Sequence, residues 1–160
     1  MAGILYLVAT PIGNLGDLSP RAVETLAQAD FIAAEDTRVS LRLLNHFDIR
    51  KPLVSYHEHN RAAAGPAIAE RLLGGESCAL VTDAGTPAIS DPGEDLVRLC
   101  GQQGITVQAI PGCCAAVCAL FSHHRDHFFR CGGQNLRILC LHKGSTHRIW
   151  LTDNDFPGFF

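Results

Sequence analysis

Between residues 4 and 120 the chain alternates short apolar runs with amphipathic stretches, and that rhythm leaves few folds open. Residues 4–9, 31–34, 52–56, 77–82 and 105–110 each read as a buried strand: short, apolar and bounded by Gly, Pro or charged residues. The stretches between them place apolar residues three and four apart. These are Ala22, Val23, Leu26 and Ala29, then Val39, Leu43, Leu44 and Phe47, then Ile68 and Leu72, then Leu96, Val97, Leu99 and Cys100. Strands alternating with helices over short connections predict an α/β fold, a mostly parallel sheet with helices on both faces. Ser19-Pro20 predicts a helix start, with Ser19 as cap and Pro20 as first residue. Gly65-Pro66 predicts that the helix over 61–73 starts a turn late. Asp91, Pro92 and Glu94 predict another start, with Pro92 first in the helix and Asp91 and Glu94 forming a variant capping box.

After Leu120 the alternation stops. Residues 121–133 follow neither period, and only 136–141 read as a further strand. The 160 residues therefore divide into a domain over 1–120 and a divergent tail over 121–160, too short for a second core of its own. A formal net charge of −3 leaves no overall basic footprint, so contact with nucleic acid must come from a local patch. The first apolar run has no basic residues before it and is too short to span a membrane, which predicts a cytoplasmic chain with no membrane partner. Seven Cys without regular spacing argue against a secreted disulfide scaffold. Cys113, Cys114, Cys118, His123, His124, His127 and Cys131 invite a metal reading. Cys114-x₃-Cys118 has no matching second pair, however, and no metal is expected.

Three Gly/Pro loops follow the first, fourth and fifth strands: 10–16, 83–93 and 111–113. In a parallel sheet such loops share one edge, where open α/β sheets bind ligands. Glycines admit close backbone approach, and prolines reduce the entropy lost on binding. None of the three carries Lys or Arg, and Gly13-x-x-Gly16 is not a dinucleotide fingerprint. The expected ligand is uncharged or zwitterionic, such as a nucleoside or amino acid conjugate, rather than a polyphosphate.

Five strings in order carry a family resemblance. They are Leu5-Tyr6-Leu7-Val8-Ala9-Thr10-Pro11-Ile12-Gly13-Asn14-Leu15-Gly16-Asp17, Glu35-Asp36-Thr37-Arg38, Ser55-Tyr56-His57-Glu58-His59-Asn60, Asp83-Ala84-Gly85-Thr86-Pro87 and Ile110-Pro111-Gly112. Over about residues 4–120 the chain resembles the bacterial 16S rRNA (cytidine-2′-O-)-methyltransferases of the tetrapyrrole (corrin/porphyrin) methylase superfamily. The resemblance implies S-adenosylmethionine as methyl donor and the ribose 2′-hydroxyl of a cytidine in 16S rRNA of the small ribosomal subunit as acceptor. It also implies that Pro11, Gly13 and Asn14 line one side of the donor cleft. Asp83, Ala84, Gly85, Thr86 and Pro87 then form its floor, and Pro111 with Gly112 closes the far side.

A ribose hydroxyl is a weak nucleophile, so a base or a nearby cation assists. Asp36 or His57 is the expected proton acceptor, and Arg38 the expected partner of an RNA phosphate or the oxyanion; Glu35, Glu58 and His59 stand beside them. The family's second α/β domain is expected to be missing here, as a truncation, internal deletion or frameshift near Leu120 would leave it. Two other readings stand beside this one: a tetrapyrrole methylase, and a non-catalytic remnant that forms a homodimer through its unfinished face.

Overall fold

The structure, a computed structural model, describes residues 2–89, 91–115, 117–118, 135–142 and 145–152. Five strands, β1 (Ile4–Val8), β2 (Phe31–Ala34), β3 (Leu53–Ser55), β4 (Cys78–Val81) and β5 (Thr106–Ile110), form one sheet in the order β3-β2-β4-β1-β5. Every pairing in it is parallel. The helices α1 (Pro20–Gln28), α2 (Thr37–His46), α3 (Arg61–Leu73) and α4 (Gly93–Gln102) cross over between successive strands.

The side-chain period of two in the strands builds two cores. Ile32, Ala34, Ala79 and Val81 face α1 and α2, meeting Leu26, Leu43 and Leu44. Their neighbours Phe31, Ala33, Cys78 and Leu80 face α3 and α4, meeting Ile68, Leu72 and Leu96. Each fully buried Leu, Ile or Phe contributes roughly 1.5–3 kcal/mol of transfer free energy, and both faces of the sheet are supplied. Cys78 and Cys100 are free thiols in the second core, and burial pushes them up to about 12 and about 11.

Local chemistry explains most helix boundaries. Ser19 Oγ accepts from Ala22 N–H at 3.1 Å with Pro20 first in α1, as expected. Three expectations are corrected. α3 starts at Arg61, not a turn later, although Pro66 lies inside it. The bond Pro66 cannot make is to the carbonyl of Ala62, an exposed residue whose oxygen water can serve, and burial of Ile68, Ala69 and Leu72 outweighs the loss. α4 starts at Gly93, with Pro92 as its cap residue. Asp91 binds Gly93 N–H at 2.8 Å and Ala88 N–H at 2.9 Å instead of closing a box with Glu94. Val39 is exposed rather than buried: it borders the cleft beside the β1 loop instead of packing into the core.

The chain divides into two compact units, Met1–Cys114 and Ala115–Phe160. In the second, β6 (Asn135–His142) pairs antiparallel with β7 (Ser145–Thr152). β6 covers the strand expected over 136–141. After β5, Cys113 and Cys114 are irregular and residues 115, 117 and 118 are helical; residues 119–134 lie outside the described residues. No helix among the described residues is long and apolar enough to cross a membrane.

Candidate functional site

The sheet order sets the loops after β4, β1 and β5 side by side at the carboxyl edge. β1 leads into α1 on one face and β4 into α4 on the other, so adjacent strands part to opposite sides. That divergence opens a crevice beyond their ends. A cleft of about 220 Å³ lies there. Pro11, Gly13 and Asn14 form one wall, Thr82 and Asp83 the strand end, and Val39, Ser40 and Arg42 of α2 the opposite wall.

The loops are stitched to one another. Thr10 and Gly85 exchange two backbone hydrogen bonds of 2.9 and 3.0 Å, an isolated antiparallel bridge. Thr10 is buried, and its hydroxyl donates to the Thr82 carbonyl at 3.1 Å. Gly85 has φ +93°, a conformation open to glycine and strained for other residues. Thr86 Oγ1 donates to the Cys113 carbonyl at 2.8 Å, and the Cys113 thiol points to the Asp17 carbonyl at 3.7 Å. Gly112 comes so close to β1 that a Cβ there would stand 2.8 Å from Ala9 Cβ. Asn14 Oδ1 accepts from Gly16 N–H at 3.1 Å, and Gly13 has φ +85° with open space beside it.

Of the ten residues expected to hold a ligand, Pro11, Gly13, Asn14 and Asp83 line the cleft. Gly85 and Pro87 are buried, and Thr86 bonds Cys113, so they brace the wall; Ala84, Pro111 and Gly112 are exposed at the same edge. Asp83 Oδ1 accepts from Asp36 N–H at 3.2 Å, tying the β4 loop to the β2 loop instead of closing a turn of its own.

The acid–base candidates follow β2 and β3, on the other half of the edge. Asp36 caps α2 through Arg38 N–H at 2.8 Å. Its carboxylate also takes a fork from the Arg38 guanidinium, at 3.1 and 2.7 Å, which holds its carboxyl down at about 2. Glu35 is raised by burial, then by the charges of Asp83 and Asp91. His57 sits in a turn locked by Asn60, whose side chain accepts from His57 N–H at 2.8 Å and donates to the Ser55 carbonyl at 2.9 Å. Its Nδ1 is buried without a hydrogen-bond partner. The geometry joins Asp36, Arg38 and Asp83 directly, whereas His57 lies two strands from β4, roughly 10 Å in the sheet.

Arg42, Val39 and Ser40 are the residues that loop reasoning missed. Periodicity assigns Arg42 to the polar side of α2, but nothing local says that this side borders the cleft. The loops carry no cation, yet the cleft has one. Among the described residues no group of three or more His, Cys, Asp or Glu is arranged to hold a metal; His123, His124, His127 and Cys131 lie outside them.

A parallel sheet whose loops converge on a cleft at its switch point defines an α/β ligand-binding domain. The profile of the Tetrapyrrole (Corrin/Porphyrin) Methylases matches residues 4–127, and the chain belongs to that family. It is 58% identical over 120 residues to the ribosomal RNA small subunit methyltransferase I of Synechocystis sp., covering 75% of this chain and 43% of that relative. With the protein of the same name from Haemophilus influenzae the identity is 55% over 120 residues, covering 75% and 42%. The chain thus spans less than half the length of these relatives. The fold is also that of uroporphyrin-III-C-methyltransferase from Thermus thermophilus, with a TM-score of 0.59 at 21% identity over 86% of this chain and 59% of that one.

Proposed function

We propose that the chain is the donor-binding α/β domain of an S-adenosylmethionine-dependent methyltransferase acting on the ribose 2′-hydroxyl of a cytidine in 16S rRNA. The observation that carries this reading is the 58% identity to a relative named for ribosomal RNA small subunit methylation. The switch-point cleft supports the donor. Its loop walls carry no cation, and they mix apolar Pro11 and Leu15 with the polar groups of Asn14, Thr82 and Asp83. That lining suits a nucleoside joined to an amino acid, and the open side of Gly13 admits such a ligand against the backbone. Bound there, S-adenosylmethionine supplies a methyl group activated by its sulfonium.

The chain's own part is orientation and proton handling. Pro11, Gly13, Asn14 and Asp83 hold the donor, with Ala84, Gly85, Thr86, Pro87, Pro111 and Gly112 shaping and bracing the loops. Fixed placement of this kind supplies much of the acceleration of an in-line displacement. The 2′-hydroxyl loses its proton as oxygen gains the methyl group. Asp36 and His57 are the candidates to take that proton: Asp36 is bonded to Asp83 of the cleft, whereas His57 lies two strands away with its Nδ1 buried. Asp36, held at about 2, is a weak base, and Arg38 offers positive charge to a phosphate or the developing oxyanion. Substrate in the small ribosomal subunit implies a cytoplasmic site of action.

Incubating the chain with radiolabelled S-adenosylmethionine and unmethylated 30S subunits tests the reading. Label on the ribose of a 16S cytidine is the expected result. Label on uroporphyrinogen and none on RNA would replace it with a tetrapyrrole methylase, and no uptake of donor would favour a non-catalytic remnant.

A further inference from the structure

α2 carries Arg38, Arg42 and His46 at successive four-residue intervals, each about 6 Å further along the axis and on one side of the helix. All three are exposed. Residues 37–46 include no Asp or Glu, although the chain as a whole is acidic. Asp36 at the cap is the nearest acid, and it grips Arg38 in a fork that fixes the guanidinium at 86% side-chain exposure. Arg42 has no ion-pair partner among the described residues. It is also a wall of the cleft, so the basic stripe borders the site at its middle residue.

A donor without phosphate leaves these cations unused, whereas a nucleic-acid acceptor brings its own phosphates. We propose that the exposed face of α2, with Arg38, Arg42 and His46, binds the phosphate backbone of single-stranded RNA and leads the strand to the cleft. This rests on the RNA reading above and adds the surface that such a substrate would use. Arginine suits the role, since its fork matches phosphate oxygens and stays charged at any physiological pH. The opposite face of the sheet differs: there Arg61 and Arg98 both pair with Asp95.

Fluorescence anisotropy with a fluorescein-labelled single-stranded RNA oligonucleotide, between about 50 and 200 mM salt, tests the surface. Each phosphate contact on a single strand contributes about 0.7 to the salt slope, so Arg42→Ala is expected to make it shallower by about that much. Arg42→Lys should retain most of the slope, and Arg98→Ala should leave it unchanged. An equal loss in Arg98→Ala would show general charge attraction and overturn the proposal. So would an Arg42→Ala chain with the full RNA slope and weakened uptake of S-adenosylmethionine, which would assign Arg42 to the donor's carboxylate. Calorimetry with the donor alone separates the two readings. A slope that falls in Arg42→Ala while the unmodified chain takes up no donor sinks the donor reading and leaves this surface standing.

Discussion

Asp36 and Glu35 are neighbours in sequence with opposite electrostatics. Arg38 keeps Asp36 ionised, so whatever stability Asp36 contributes is present above the unfolded carboxylate pKa and is lost as pH falls toward 2. Glu35 is raised by burial and by Asp83 and Asp91, so its ionisation opposes folding. Its contribution is fully present below the unfolded pKa and disappears as pH rises through the folded one. Glu35→Gln should therefore be more stable than the unmodified chain at neutral pH, with the gap closing toward about pH 4. Thermal melts over that range check this; a variant less stable at pH 7 would contradict it. Gly85 gives a second prediction at this scale. Alanine there must adopt φ +93° and still bridge Thr10, so Gly85→Ala should lose about 1–2 kcal/mol in urea unfolding. That glycine was visible in the sequence as part of a turn. Its bond to Thr10 was not, because 75 residues separate the two and no local pattern records the pairing.

Among the elements, the strands were legible to within a residue or two because apolar runs bounded by Gly, Pro and charge have few other uses in a chain of this kind. Ser19 was legible for the same reason: its hydroxyl, Pro20 and Leu26 all point to one helix start. Ser19→Ala should cost about 1 kcal/mol in urea unfolding, with donor affinity kept because neither Ser19 nor any residue of α1 lines the cleft. Pro66 and Asp91 show where local rules lose. At Pro66 the packing of Ile68, Ala69 and Leu72 prevails over a missing N–H. At Asp91 the carboxylate stabilises Ala88, a non-glycine residue at φ +65°, and the helix begins a residue later. Val39 is the instructive case for function. Its spacing from Leu43 is that of a core face, but it lines the cleft, and Arg42 lines it from the same helix.

For the whole molecule, the sheet order β3-β2-β4-β1-β5 does more than any single residue. It groups the three Gly/Pro loops on β4, β1 and β5 and sets Glu35, Asp36 and His57 on the adjoining β2 and β3 side. The parallel α/β class followed from alternation alone. The order did not, since it depends on which helix covers which face. The loops were recognisable as a ligand edge, and the cation on α2 emerged only once the crossovers had been laid down. The central claim is that the ligand cleft lies between the β1 and β4 loops. Amide ¹H–¹⁵N spectra of the chain titrated with S-adenosylmethionine test it directly. The account predicts shifts concentrated at Gly13, Asn14, Asp83 and Gly85. Shifts confined instead to the groove between α3 and α4, around Arg61, Asp95 and Arg98, or no shifts at all, would contradict it.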